Sequence, residues 1–209
     1  MIFFKTCIVV IYFSITLFAN TINEIDESYA KTMQGLSYKE ECPISLSDLR
    51  IVNIKYLGFD DDIHFGDLIV HKDVAVEVSK IFEELFEIKY PIEKIIPIEK
   101  YNADDFESIE DNNTSAFNCR KAEASNNYSK HSFGKAIDIN PIQNPYIYKD
   151  GTSSHKKSKE FINRISKNDT AQNKAMLLAN SKVVLIFKKY GWKWGGDWKN
   201  IKDYQHFQK

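Results

Sequence analysis

Alternation of apolar and polar residues is clearest in the segment Arg50–Leu57. Its large side chains recur at every second position, which is typical of a strand with one buried face: Val52, Ile54 and Tyr56. The acidic residues 58–62 predict a turn, and His64–Val70 predicts a second strand after it. The pattern therefore predicts two consecutive strands.

Two segments carry apolar residues at helical spacing. We predict that Asp73 caps the first helix and that Pro91 ends it; its apolar face is Val74, Val78, Ile81, Phe82 and Leu85. The second helix ends at Gly191, a residue type that commonly follows a last helical turn. Its apolar face is Val183, Ile186, Phe187 and Tyr190.

Lys135–Asn140 alternates again and predicts a core strand that carries the carboxylate of Asp138 on one face. Residues 92–101 are predicted to be extended, 102–114 to be a polar loop and 149–159 to be a surface insertion. Strands followed by helices without regular alternation predict an α+β fold, with an antiparallel sheet flanked by helices.

The first 19 residues have the layout of a secretory signal peptide. Lys5 is followed by a continuous apolar run, and Ala19 is a small residue before the polar Asn20. Leu17 is not the ideal small residue at the −3 position, so an uncleaved membrane anchor is the alternative. We predict a signal peptide at 1–19, an N-terminal arm at 20–49 and one domain at 50–209.

Composition narrows the class of protein. The chain has 209 residues, of which 43% are hydrophobic and 27% charged, and this favours one globular domain. Its formal net charge is −1, without the basic excess that is usual in nucleic-acid-binding proteins, so no nucleic-acid partner is predicted. If the signal segment is removed, no stable membrane span is expected.

Three cysteines are present, and Cys7 lies in the signal segment. Cys42 and Cys119 can form a disulfide in an oxidising compartment, or they can be two buried free thiols. The sequence leaves both open. Because there is no closely spaced cysteine pair of the kind that binds zinc, a metal site would have to use His and carboxylate side chains.

The histidine and aspartate residues in the C-terminal half of the chain fit a hydrolytic zinc site. Such a site needs three protein ligands and an open position for water, and His131, Asp138 and His206 can supply the ligands. Gly134 permits a turn, so that His131 can lie on a loop and Asp138 on the next strand. Taken alone, a single histidine or aspartate more often has a structural role.

A hydrolytic zinc site also needs a carboxylate near the water, which takes the proton of that water and passes it to the leaving amine. Asp203 precedes His206 by three residues, and one helical turn or a tight loop would bring their side chains to the same side. Asp203 is therefore the candidate base, and Asp197 is its rival or a residue that orients a histidine or holds a substrate amine.

Several other residues have two interpretations. Trp194 and Trp198 can wall a cleft or pack in the core. Arg120 can stabilise an oxyanion because it is always charged, or it can be an ordinary ion-paired arginine. His64, His71 and His155 are expected to be structural or solvent-exposed.

These residues resemble the zinc D-alanyl-D-alanine carboxypeptidases of the VanY-like kind, relatives of the L-alanyl-D-glutamate peptidases of phage endolysins. The resemblance covers residues 50–209. Its specific part is the pattern S-x-H-x-x-G-x-A-x-D followed later by D/E-x-x-H. The segments that carry it are SKHSFGKAIDINP (129–141), YGWKWGGDW (190–198) and DYQHF (203–207), with NNTSAFNCR (112–120) and, more loosely, YPIEKI (90–95).

The resemblance implies a role for each matching position. One zinc ion per chain would be bound by His131, Asp138 and His206, and Asp203 would be the catalytic base. Arg120 would polarise the scissile carbonyl, and Ser129 would help to orient the substrate. The implied fold is the α+β zinc fold of the hedgehog signalling domain and the DD-peptidases.

The sequence thus predicts an exported hydrolase, a zinc metallopeptidase of the periplasm or cell wall. It would cleave peptidoglycan stem peptides at a D-Ala-D-Ala bond, with Ser129, Trp194, Asp197 and Trp198 near the substrate. One alternative is an endopeptidase that cleaves L-Ala-D-Glu or a cross-link. Another is a zinc-containing module that binds the cell wall without turnover.

Overall fold

A computed structural model describes residues 20–122, 125–166 and 168–209. The predicted signal segment at 1–19 lies outside the described residues. Within these ranges, no helix is both long enough and apolar enough to cross a membrane.

The two strands predicted from alternation are confirmed. β2 (Leu49–Leu57) and β3 (Ile63–His71) pair antiparallel along their whole length, and the acidic turn joins them. β1 (Thr21–Glu24) pairs with the other edge of β2, so the sheet order is β1-β2-β3. All four residues of β1 are exposed, which is why apolar alternation did not predict this strand.

The first predicted helix is α2 (Lys72–Glu87), and its apolar face is buried as predicted. Its cap was predicted wrongly. His71 is the N-cap residue, and its Nδ1 accepts a hydrogen bond from the backbone N–H of Asp73 at 3.1 Å. Asp73 lies in the first turn, where a negative charge also favours the helix dipole.

The segment between α2 and the site differs most from the prediction. In place of an extended 92–101, a short strand β4 (Lys94–Ile95) precedes a 3₁₀ turn at Ile98–Tyr101. The predicted loop at 102–114 contains α3 (Asp105–Glu110) and β5 (Asn113–Thr114), which pairs parallel with β4. Asp104 caps α3, so polar residues that indicated a loop start a helix instead.

The site-bearing strands follow. β6 (Ala136–Asp138), β10 (His206–Gln208) and β8 (Lys193–Trp194) form an antiparallel sheet in the order β6-β10-β8. β7 (Tyr146–Ile147) pairs antiparallel with β9 (Lys202–Asp203). The α+β class is therefore confirmed, although the strands form several small sheets. The specific hedgehog-type fold stays a prediction.

Helices α2 and α5 (Lys182–Lys189) contribute to the main core together with β10. The rings of Phe187 and Phe207 stack 3.8 Å apart, and Trp192 meets Phe187 edge-on. The second predicted helix is confirmed, with Val183, Ile186 and Phe187 buried. The helix ends at Lys189, and Tyr190 is its partly buried C-cap before Gly191. A short helix, α4 (Ala171–Lys174), precedes it.

The N-terminal residues are fastened to the rest of the chain. α1 (Glu27–Met33) packs through Met33 into a second core cluster with Leu49, Ile69 and Phe117. Cys42 and Cys119 form a disulfide, so the alternative of two free thiols is wrong. Cys119 directly precedes Arg120, and the bridge thus anchors one wall of the site.

Candidate active site

A single turn and a strand bring His131 and Asp138 together. Ser129 caps a 3₁₀ turn (Lys130–Phe133) by accepting the backbone N–H of His131. Gly134 ends this turn at φ +61°, and a Cβ there would lie 2.5 Å from the backbone nitrogen of His71. The residue must therefore be glycine, and the chain can then enter β6 with Asp138 at its end.

His206 comes from the distant end of the chain. In the antiparallel ladder of β6 and β10, His206 is the direct partner of Asp138, so their side chains share a face. The Nδ1 of His206 lies 2.8 Å from Oδ1 of Asp138, and the Nε2 of His131 lies 3.2 Å from Oδ2. One ligand atom from each of the three residues lies within 4.8 Å of the others.

In His131 and His206, the ring nitrogen that faces away from Asp138 has a hydrogen-bond acceptor, and this acceptor fixes which nitrogen carries the proton. The Nδ1 of His131 donates to the backbone carbonyl of Ala116, and the Nε2 of His206 donates to Oε1 of Gln208. A neutral imidazole then has its lone pair on the other nitrogen. These two nitrogens lie 3.2 Å apart beside a carboxylate. Two lone pairs and an anionic oxygen directed at one place fit a divalent cation.

In the metal-type cluster, formed by His131, Asp138 and His206, neighbouring charges shift the pKa values of Asp138 and His206. Burial alone would raise the pKa of Asp138, but the charges and hydrogen bonds of His131 and His206 lower it well below its usual range. Burial opposes the charge on His206, yet Asp138 raises the pKa of His206 to about 9. A proton on His206 therefore balances Asp138, and a bound metal ion would replace that proton.

Asp203 lies beside the cluster at the end of β9. A tight loop, rather than a helical turn, separates it from His206, which is one of the two predicted geometries. Burial raises the pKa of Asp203 to about 7; attraction to His206 reduces this shift, and repulsion by Asp138 adds to it. Among the described residues, its buried Oδ1 has no hydrogen-bond partner. Asp203 as a whole lines the cavity and keeps 9% of its surface exposed.

Arg120 lines the same cavity. Its guanidinium pairs with the carboxylate of Asp105, and its backbone N–H donates to Oγ of Ser132 at 2.9 Å. Asp105 lies in the segment predicted to be a loop, and no sequence motif indicated its role. The ion pair orients the guanidinium and leaves about a third of the side chain exposed.

The remaining predicted substrate residues separate into two groups. Ser129 and Trp198 line the cavity, and the ring of Trp198 is 5.5 Å from that of His206. Trp194 is buried in the core instead, where its Nε1 donates to the carbonyl of Tyr204. Asp197 is exposed, pairs with Lys188 at 2.7 Å and does not line the cavity.

The cavity has a volume of about 510 Å³, within the range usual for ligand pockets. It extends from the metal-type cluster to a wall built by α3 and the 146–155 segment. Lining residues that the sequence analysis did not single out for the site include Phe106, Tyr146, Tyr148, His155 and Gln205. Their contacts join segments far apart in the sequence, which no local pattern reveals.

Comparison with known proteins adds one match. Residues 122–209 match the family model described as D-alanyl-D-alanine carboxypeptidase. No curated protein and no solved structure matches the chain. The matched part includes the cluster and Asp203, begins just after Arg120, and supports a peptidase. The resemblance predicted from the sequence is therefore confirmed over residues 122–209, and over residues 50–121 it stays a prediction.

Proposed function

We propose that the protein is an exported zinc metallopeptidase that removes the C-terminal D-alanine from peptidoglycan stem peptides. One observation carries the proposal above all. One imidazole nitrogen each of His131 and His206 and the Asp138 carboxylate converge in a cavity, together with a buried carboxylate oxygen of Asp203 that has no hydrogen-bond partner among the described residues.

His131, Asp138 and His206 would hold one zinc ion. Their nitrogen and oxygen donors suit zinc, and three protein ligands leave a coordination position open, as in catalytic sites. When bound, zinc supplies a Lewis acid that polarises the scissile carbonyl and makes water acidic enough to react at neutral pH. The carbonyl of Ala116 and the amide of Gln208 keep both imidazoles in the tautomer that this role needs.

Asp203 would transfer the proton. Its carboxylate takes a proton from the water that attacks the scissile carbonyl, and later gives it to the nitrogen of the departing D-alanine. A pKa of about 7 suits both halves of this cycle, because the group can then accept and release a proton near neutral pH. Asp197 is the weaker candidate for the base because its carboxylate is exposed and paired with Lys188.

Arg120 would stabilise the negative charge that develops on the scissile oxygen. A guanidinium remains charged throughout the reaction, and its pairing with Asp105 holds it in place before substrate binds. Ser129 and Trp198 line the cavity and would orient the peptide. Trp194 would support Tyr204, in the loop between Asp203 and His206, from behind.

Export is part of the proposal. The Cys42–Cys119 disulfide is of the kind that persists in oxidising compartments. Together with the predicted signal segment and a cell-wall substrate, it favours the periplasm or the cell wall as the site of action.

Digestion of purified peptidoglycan, followed by mass analysis of the soluble products, tests this function. We expect the wild-type protein to release D-alanine and the zinc-loaded Asp203→Ala variant to release it at least about 100-fold more slowly. Release of shorter peptides would assign the enzyme to the endopeptidases that cleave L-Ala-D-Glu or a cross-link. A zinc-loaded wild-type chain that releases nothing would overturn the proposal in favour of a wall-binding module.

A further inference from the structure

His155 lines the same cavity, and its described contacts are with Phe106 and Glu110 rather than with His131, Asp138 or His206. Only 7% of its surface is exposed, and its ring packs on Phe106 with the ring centres 4.6 Å apart. Its Nδ1 lies 2.6 Å from Oε1 of Glu110. The predicted surface insertion at 149–159 therefore has a buried histidine that faces a cavity.

Helix α3 supplies both partners of this histidine. Phe106 and Glu110 are four residues apart, so their side chains share one face of the helix. The same helix begins with Asp105, which pairs with Arg120. The Nζ of Lys157 donates to the backbone carbonyl of Glu110 at 2.8 Å and fastens the insertion to α3. One short helix thus supports the wall near Arg120 and the wall near His155.

The contacts of His155 fix which atom can meet a ligand. A carboxylate is an acceptor, so the Nδ1 that faces Glu110 carries the proton. Nε2 is the remaining ring nitrogen, and among the described residues it makes no hydrogen bond. Beside it, Phe106 keeps 51% of its surface exposed while lining the cavity. A polar edge next to an aromatic face suits an amide group of a peptide and the apolar atoms around it.

We propose that His155, oriented by Glu110 and backed by Phe106, binds an amide group of the peptide substrate remote from the scissile bond. This inference rests on the proposed function and deepens it. The substrate would be a stem peptide of several residues rather than a free dipeptide, and the wall formed by α3 and His155 would favour the longer peptide. Glu110 and Phe106 precede the family-matched segment, so this wall is contributed partly from outside it.

Peptide affinity measured without turnover tests the inference. In the zinc-loaded Asp203→Ala background, we compare the Kd of a stem pentapeptide ending in D-Ala-D-Ala with the Kd of an acetylated D-Ala-D-Ala dipeptide by titration calorimetry. His155→Ala should reduce the preference for the pentapeptide about fivefold, since a single hydrogen bond is lost. His155→Phe keeps the ring stack on Phe106 but lacks Nε2, so it should show the same reduction with less loss of thermal stability.

The outcomes separate this inference from the proposed function. A preference ratio that stays unchanged in a folded His155→Phe protein overturns the inference, even if the wild type hydrolyses peptidoglycan. A purely structural role would weaken both peptides equally and would also leave the ratio unchanged. A ratio that falls as expected supports the inference, even if the wild type releases no D-alanine and the proposed hydrolysis fails.

Discussion

His206 and Asp138 are direct partners across the β6–β10 ladder, and Nδ1 of the histidine lies 2.8 Å from Oδ1 of the aspartate. Because strand register fixes this pair, the backbone positions two of the three candidate metal ligands before any metal binds. His131 then completes the set from the preceding turn. The proposed metal site depends on this arrangement.

The first prediction separates metal binding from proton transfer. His206→Ala should lose both zinc and peptidase activity, because it removes a ligand. Asp203→Ala should keep about one zinc per chain and lose activity by a factor on the order of 10²–10⁴, the contribution typical of a general base. Metal analysis and kinetics on both purified variants check this, and an active Asp203→Ala enzyme would contradict the assignment of the base.

The second prediction concerns the partner that orients His206. Gln208 accepts the Nε2–H of His206 at 3.1 Å, and Gln208→Leu removes that acceptor while leaving the backbone ladder intact. We expect zinc affinity to fall about 10- to 100-fold, as for other partners of metal-binding histidines. Gln208→Glu retains an acceptor and serves as the matched control. Equal zinc affinity in the leucine and glutamate variants would mean that this hydrogen bond does not matter.

The third prediction concerns the disulfide. Cys42 and Cys119 are 77 residues apart, and closing a loop of that length stabilises the folded state by about 4.5 kcal/mol on the chain-entropy model. The Cys42→Ser, Cys119→Ser double variant should therefore have a free energy of unfolding lower by about 2–5 kcal/mol. Denaturant titration with and without a reductant measures it. The wild type should lose stability on reduction, whereas the double variant should be indifferent to the reductant.

The fourth prediction concerns Glu99, a partly buried acid outside the site. Burial raises the pKa of Glu99 above its ordinary 4.5, although a hydrogen bond from Ser37 offsets part of the shift. A folded-state pKa above the unfolded value means that the stability this group contributes is present below pH 4.5. That stability is lost as the pH rises through the folded-state pKa.

Glu99→Gln imitates the protonated form at every pH. The variant should therefore unfold at a higher denaturant concentration than the wild type at pH 7, and the difference should shrink toward zero near pH 4. Unfolding titrations at both pH values measure this. If the wild type were more stable than Glu99→Gln at pH 7, the ionised Glu99 carboxylate would stabilise the folded state, which would contradict the prediction.

The sequence predicted the elements whose pattern reflects burial. α2, α5 and β2 each bury one face, so apolar spacing was sufficient. β1 is exposed along its length and α3 is rich in acids, and neither carries that signal. Apolar spacing therefore predicts the elements that bury one face in the core, but it does not predict elements that are exposed on the surface.

For the site, the local motifs predicted which residues to examine, whereas their geometry depends on strand register between distant segments. Asp138 and His206 are 68 residues apart and meet only because β6 pairs with β10. The partners of Arg120 and His155 lie on α3, and no local pattern connects them. Trp194 and Asp197 had the right residue types for a cleft, but packing and Lys188 hold them elsewhere.

Anomalous diffraction from crystals of the zinc-loaded protein, measured at the zinc absorption edge, tests the central claim most directly. We predict one strong peak, about 2.0–2.2 Å from Nε2 of His131, Nδ1 of His206 and a carboxylate oxygen of Asp138. A zinc peak bound by other residues, or no peak between these three in a protein that hydrolyses peptidoglycan, would contradict it.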